Sequence, residues 1–413
     1  MNFDPIVAQR ELRREEKPCL PLYLAMAALF AASLWMFRWE FGFENTDLYL
    51  HAMIAHDFNF ADLHSITSRL AYPMWHLCVS ALYQLGMPLV WASAAICALC
   101  KALALLLTQR LLTGATDGKV RQGTLTLVSL ALVTLTPLCL PWLNPQVYSG
   151  VGSPNVWHNP TQLAVTVAML LCVPWLMHCW YAFERGLDGG KPVLLPWWKI
   201  VVLSALLMLS LACKPTFMQA LIPAAFVMYA VELVRHRTQW RYFGQIVLAF
   251  LPAVAYFLLQ YLYYTGVVVE YTSGVEIGIT WESFEYMMRG VLLMSAFPLY
   301  AVLLCRKRGI LKDRMLVLAL WMTLFSVVEG MTFRETGMRL GHGNFTWAAN
   351  SSSCLLWVAA MGAFLRCFME DRKNAALTPA WKVGYGVGWA LFAWHAVSGV
   401  WYVIYLLSTG SAF

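Results

Sequence analysis

Apolar runs long enough to cross a bilayer recur along the whole chain. They are Leu20–Phe37, Leu89–Leu107, Thr124–Trp142, Leu163–Phe183, Trp197–Cys213, Phe217–Val234, Phe243–Tyr263, Phe284–Leu304, Met315–Phe333, Trp347–Phe368 and Val383–Leu407. A transmembrane helix needs about 20 apolar residues, and in lipid such a run satisfies its own backbone only as a helix. The stretch Tyr72–Leu85 is shorter and holds His76 and Gln84, so it is a doubtful further span. No internal repeat, low-complexity segment or soluble domain fits between the runs. The pattern predicts an all-α, polytopic transmembrane helical bundle, one domain over residues 1–413, with eleven spans and twelve as the alternative. Juxtamembrane helices are expected inside the first outer loop, residues 38–71.

Composition agrees with the pattern. Hydrophobic residues make up 60% of the 413 and charged residues 12%, against roughly 45–50% and 25% in soluble domains. Mean hydropathy is +0.60. Arg10, Arg13, Arg14 and Lys17 precede the first run, and no small-residue cleavage site interrupts it, so a cytoplasmic N-terminus is expected rather than a cleaved signal. Most of the eleven cysteines lie in apolar runs, where Cys acts as a small hydrophobe. Cys97 and Cys100 form a CxxC only in spelling, since neither a second pair nor His ligands accompany them.

Charge then sets the orientation. With Tyr72–Leu112 crossing once, the segments on the N-terminal side of the membrane hold 22 of the 29 Lys and Arg residues. Basic residues concentrate in cytoplasmic loops, and two crossings there would invert every later loop and erase the asymmetry. Tyr72–Leu85 is therefore expected to be re-entrant, juxtamembrane or the short arm of a hairpin. The opposite, outer face carries Glu40, Glu44, Asp47, Asp57, Asp62 and six of the nine histidines. Polar groups near a membrane are costly unless they line water or bind something, so this face holds the candidate site.

Four outer segments concentrate the chemistry. In Glu44-Asn45-Thr46-Asp47-Leu48-Tyr49-Leu50-His51, Asp47 and His51 share one face if the segment is helical. A carboxylate there can deprotonate a hydroxyl, and an imidazole can hold a phosphate or orient the acid. In Asn155-Val156-Trp157-His158-Asn159-Pro160, Pro160 suits the first turn of the next span. The side chains of Asn155, His158 and Asn159 offer donors and acceptors that suit sugar hydroxyls, while Trp157 also fits a membrane-interface anchor. Lys214-Pro215 places an ammonium at the outer end of a span, where it either snorkels or meets a lipid phosphate. Arg334, Arg339, His342 and Asn344, among three glycines, read as an anion-binding loop; Arg69 is a further outer cation. Outer carboxylates offer ligands for a divalent cation, but no spacing demands a metal and no other cofactor is indicated.

In order and chemistry, these segments resemble the GT-C superfamily of membrane glycosyltransferases, which includes protein O-mannosyltransferases and the lipid A aminoarabinose transferase. The likeness runs from the first span, through the acidic Glu44-Asn45-Thr46-Asp47 and Tyr72-Pro73-Met74-Trp75-His76, to Cys213-Lys214-Pro215-Thr216, and ends near Arg235. It implies a polyprenyl-phosphate-sugar donor, Asp47 as the catalytic carboxylate and Lys214 as a contact to the donor phosphate. Two departures are plain. The adjacent Asp-Glu pair of several members is absent, so Glu44 competes with Asp47, and Lys214 lacks a following Gly.

The sequence thus predicts an inverting transfer of a sugar to a glycan, lipid or protein hydroxyl at the non-cytoplasmic face of a bacterial cytoplasmic membrane. Asp47 or Glu44 is the expected base. Lys214, Arg334, Arg339 and Arg69 are expected to hold the donor phosphate. His51, Asn155, Trp157, His158, Asn159, His342 and Asn344 are expected to bind sugar or acceptor. Nothing points to nucleic acid. The rival readings are a ligase or polymerase of lipid-diphosphate-linked glycans, and a lipid or sugar transporter or flippase. The latter should show polar residues at mid-membrane and broken spans.

Overall fold

A computed structural model describes residues 19–62, 65–66, 71–140, 142, 152–187, 192–266, 274–337, 344–373 and 378–409. These form a helical bundle of thirteen α-helices with one small ribbon. The helices are α1 (Leu20–Glu40), α2 (Asp47–His56), α3 (Met74–Gln84), α4 (Leu89–Ala115), α5 (Gln122–Leu132), α6 (Pro160–Leu187) and α7 (Trp197–Cys213). They continue with α8 (Thr216–Arg235), α9 (Trp240–Gly266), α10 (Trp281–Cys305), α11 (Arg314–Thr332), α12 (Ala348–Lys373) and α13 (Pro379–Thr409). Strands β1 (Val275–Ile277) and β2 (Phe333–Glu335) pair antiparallel beside α10 and α11, with Glu276 opposite Arg334.

Among the described residues nine helices are long and apolar enough to cross a membrane. They fall on nine of the eleven apolar runs. The other two runs contain α5 and α7, apolar helices of 11 and 17 residues. α12 is the centre of the bundle: 83% of its apolar window is buried. Many flanking helices turn bulky apolar side chains such as Leu24, Phe226, Leu251 and Val397 outward, as a lipid-facing surface requires. The fold is that of a multi-pass integral membrane protein.

The doubtful run Tyr72–Leu85 becomes α3, the short arm of a hairpin with α4. Gly86, at φ +97°, makes the turn, a backbone state that favours glycine. Both ends of α3 face the α2 region. His76 meets His51 there, and Gln84 Nε2 donates to Phe58 O at 2.9 Å.

The run Thr124–Trp142 departs from expectation. α5 stops at Leu132, and after a turn at Val133–Thr134 the chain continues as irregular backbone inside the bundle. The local cause is chemical: β-branched Val133, Thr134 and Thr136 crowd the helix, and Pro137 pushes Thr136 out of the helical region. The irregular backbone finds partners in α10 and α13. Leu138 N–H donates to Leu293 O (3.1 Å) and Cys139 N–H to Ser398 Oγ (3.0 Å), while His395 Nδ1 donates to Thr136 O (2.8 Å). The mid-span His395 is thus a hydrogen-bonded core histidine.

Gly399 permits this approach of the irregular segment to α13. A Cβ there would collide with Thr134 O and lie 2.8 Å from Leu135 Cα, both backbone atoms with little freedom to move. Gly399→Ala is expected to cost about 2 kcal/mol through overpacking. A lowered thermal unfolding midpoint in detergent checks this, and an unchanged midpoint would contradict the close approach.

Ion pairs between half-buried arginines and largely buried carboxylates close one end of the bundle. Arg314 Nε holds Glu184 Oε1 at 2.7 Å and its NH2 reaches Glu232 at 3.5 Å; Arg366 pairs with Asp313 at 3.3 Å, and Arg308 pairs with Asp371. Asp313 also caps α11, accepting from the backbone of Met315 and Leu316. Glu184 lies at the far end of α6 from Asn159, so this layer is opposite the polar cluster described next.

Candidate functional site

Asn159 is the hub of the polar cluster. It precedes Pro160 at the start of α6, and its Oδ1 accepts from Gln162 N–H (3.0 Å), which satisfies an unpaired donor of the first turn. The same oxygen accepts from Thr161 Oγ1 (2.9 Å) and Lys214 Nζ (3.1 Å). Backbone N–H and ammonium can only donate, so the amide orientation is fixed by its partners. Asn159 Nδ2 must therefore face away, and it donates to Asp47 Oδ2 at 2.8 Å.

Asp47 occupies the first position of α2. Thr46 caps that helix, accepting from Tyr49 N–H. The N-terminal end of a helix dipole favours a carboxylate there. Asp47 is half-buried, and its second oxygen, Oδ1, has no protein partner among the described residues. Glu44 sits on the preceding turn, exposed, so Asp47 is the carboxylate that meets Asn159. Glu40, read from the sequence as a loop residue, is instead the buried last residue of α1.

Lys214 lies between α7 and α8, in extended conformation after Cys213. Pro215 begins the turn into α8 and helps hold the lysine at the junction. Its ammonium is buried (6% exposed) and stands 4.0 Å from the centroid of the Trp347 ring. Burial pushes the Lys214 amine down to about 7, with the charge of Asp47 opposing the shift. Cation–π contact partly replaces the water the ammonium has lost.

Three imidazoles surround this pair. His51 Nδ1 and His76 Nε2 are hydrogen-bonded at 2.9 Å, and the His158 ring packs edge-on to Trp347. Burial pushes His51 and His158 down to about 4, with Asp47 opposing and Lys214 adding to the shift. Burial and the neighbouring His51 push His76 well below the usual range. All three are uncharged at neutral pH. They can exchange hydrogen bonds with hydroxyls but add no positive charge for a phosphate.

Behind Asn159 the network continues inward. Thr216 Oγ1 donates to Gln162 Oε1 (3.1 Å), and Gln162 Nε2 donates to Ser351 Oγ (3.0 Å), tying α6, α8 and α12 together. Among the described residues no group of three or more His, Cys, Asp or Glu is placed to hold a metal ion. All eleven cysteines are free thiols.

The structure brings together Asp47, His51, His158, Asn159 and Lys214 from three of the four segments. Part of the fourth arrives as Trp347. Arg334 is exposed and paired with Glu276 on the ribbon, and Asn344 Nδ2 donates to Glu335 at 2.7 Å. Arg69, Arg339 and His342 lie outside the described residues. Asn155 and Trp157 serve a different centre, around Lys101 in α4. Sequence reasoning gave no role to Gln162 or Ser351, and it met His76, Thr216 and Lys101 without placing them in the site. His76 carried the signal of an imidazole among the outer histidines, and Lys101 that of a charge inside a span.

No family model matches the chain, and no curated protein matches it in sequence.

Proposed function

We propose that the protein is a GT-C-like, inverting glycosyltransferase that moves a sugar from a polyprenyl phosphate to an acceptor hydroxyl at the non-cytoplasmic face. The observation that carries this reading is the Asp47–Asn159–Lys214 relay. A carboxylate oxygen without a partner among the described residues stands an amide's width from a buried ammonium, with uncharged imidazoles around both. In the proposed step the acceptor oxygen attacks the anomeric carbon as its C–O bond to phosphate breaks. The hydroxyl proton passes to Asp47, a general base. The leaving phosphate gains one negative charge, which Lys214 offsets where it develops. Asn159 keeps the two groups apart so that they do not neutralise each other.

The orientation supports this. The basic residues counted above gather on the N-terminal side, which includes the Arg308, Arg314 and Arg366 layer, and the relay lies at the opposite end. Eleven crossings in a bacterial cytoplasmic membrane, with a cytoplasmic N-terminus, fit both facts.

One observation favours the transporter reading: α5 is broken inside the bundle beside a buried lysine, as in many carriers. Proteoliposomes supplied with a panel of radiolabelled polyprenyl-monophosphate sugars and hydroxyl acceptors separate the readings. Release of polyprenyl phosphate with sugar on the acceptor is expected. Passage of intact lipid-linked sugar across the bilayer without bond cleavage would replace transfer with transport. Consumption of only lipid-diphosphate oligosaccharides would indicate a ligase.

A further inference from the structure

Lys101 is 2% exposed in the middle of α4, and among the described residues no carboxylate pairs with it. An ammonium without a counter-charge at that depth is expensive unless dipoles replace its hydration. Three groups do so. Lys101 Nζ donates to Val133 O (3.0 Å) and to Asn155 Oδ1 (3.4 Å), and it stands 3.8 Å from the centroid of the Trp157 ring.

Val133 is the C-cap of α5, directly after its last residue. A helix C-terminus leaves carbonyls without partners and carries partial negative charge. Here that end is buried in the bundle, where water cannot serve it. Lys101 takes Val133 O, and Asn155 Nδ2 takes Leu132 O (2.9 Å) and Leu135 O (2.8 Å). The broken helix and the lysine thus answer each other's unmet needs, and Asn155 joins them.

The same contacts fix residues 155–159. Asn155 is tied to α5 and Lys101, and Trp157 lies over Lys101 and against Phe37 of α1. Asn159 follows two residues later and bridges Asp47 to Lys214. Gln162, which caps onto Asn159, also lines the small cavity beside Lys101 together with Asn155, Thr108 and Trp357.

We infer that Lys101 is a positioning residue for the outer site: by capping the broken end of α5 and anchoring Asn155 and Trp157, it sets where Asn159 stands between Asp47 and Lys214. Its catalytic consequence rests on the proposed transfer reaction, but its positioning role does not. Lys101 touches neither Asp47 nor Lys214, so it acts only through the segment it holds.

The test compares wild type, Lys101→Met, Lys101→Arg and Asn155→Ala in nanodiscs by hydrogen exchange and by NMR titration of isotopically methylated lysines. In Lys101→Met, amide protection over residues 133–139 and 155–159 is expected to fall at least tenfold, while α6, α12 and α13 keep theirs. Lys101→Arg restores most of that protection. In the wild type, Asp47→Asn lowers the Lys214 midpoint, since the Asp47 charge holds it up; in Lys101→Met that response shrinks by half or more. A structural role alone would lower overall stability and leave this response intact. Should Lys101→Met fail to fold, Asn155→Ala, which keeps the ammonium on Val133, is expected to loosen 155–159 and leave 133–139 protected. Unchanged protection over 155–159 in both variants, or an undiminished Asp47–Lys214 response, would overturn the inference. None of these readouts requires turnover, so an absence of sugar transfer would count against the proposed function and not against Lys101.

Discussion

Asp47→Asn is expected to lower the turnover of sugar transfer by roughly 10²–10⁴-fold while leaving the KM for donor within about threefold. The substitution keeps the shape of the side chain and its position at the start of α2. Asn159 Nδ2 can still donate to the carbonyl oxygen of the new amide, so the bridge to Lys214 stays closed. What disappears is the oxygen that takes the acceptor proton in the proposed step, because a neutral amide has almost no basicity. An effect on kcat without an effect on KM would separate loss of the base from loss of binding. Glu44→Gln supplies the control. Glu44 is exposed on the turn before α2, and its loss is expected to change turnover less than twofold. If Glu44→Gln were the inactive variant and Asp47→Asn the active one, the roles would be exchanged and the Asn159 relay would have no catalytic meaning.

The same pair shows how much of the site was legible. The sequence marked both carboxylates, and nothing in a run of Glu44-Asn45-Thr46-Asp47 decides between them. The decision comes from Asn159, more than a hundred residues away, whose own orientation is settled by capping α6. The Asn-Pro dipeptide is readable as a helix start, but the partner of the remaining amide hydrogen depends on tertiary packing. Asn155 and Trp157 show the same limit. The polarity of Asn155 was visible, yet the groups that meet its amide, Lys101 and the carbonyls of a broken helix, appear only once α5 stops short, as does the ammonium against the Trp157 ring. Pro137 and its β-branched neighbours were the available warning in that run. The spans themselves were readable almost throughout, because lipid imposes one backbone solution on a long apolar run. A ribbon of three-residue strands has no comparable signature, and pairing with Glu276 draws Arg334 away from the anion-binding role expected of it.

Lys214 carries the second large effect. Lys214→Met is expected to reduce turnover by roughly 10²–10³-fold, the scale of removing one preorganised stabiliser of developing charge, and to weaken binding of polyprenyl phosphate. The pH dependence is the sharper measurement. Burial leaves the free amine titrating near 7, and a bound phosphate anion raises that midpoint by favouring the ammonium. Below 7 the ammonium is already present, so binding takes up no proton through Lys214. Between 7 and the raised midpoint, binding must supply the proton, and affinity falls by up to tenfold per pH unit. The ligand's own second ionisation, near pH 6, acts in the opposite sense, since a dianion binds a cation more tightly. A titration in nanodiscs from pH 6 to 9 therefore distinguishes the two: wild type should bind more weakly as pH rises above 7. Lys214→Arg, whose guanidinium stays charged throughout and can still stack on Trp347, should lose that decline. Affinity that is flat or rising above pH 7 in the wild type would remove Lys214 from the phosphate site and leave its contacts with Asn159 and Trp347 as packing alone.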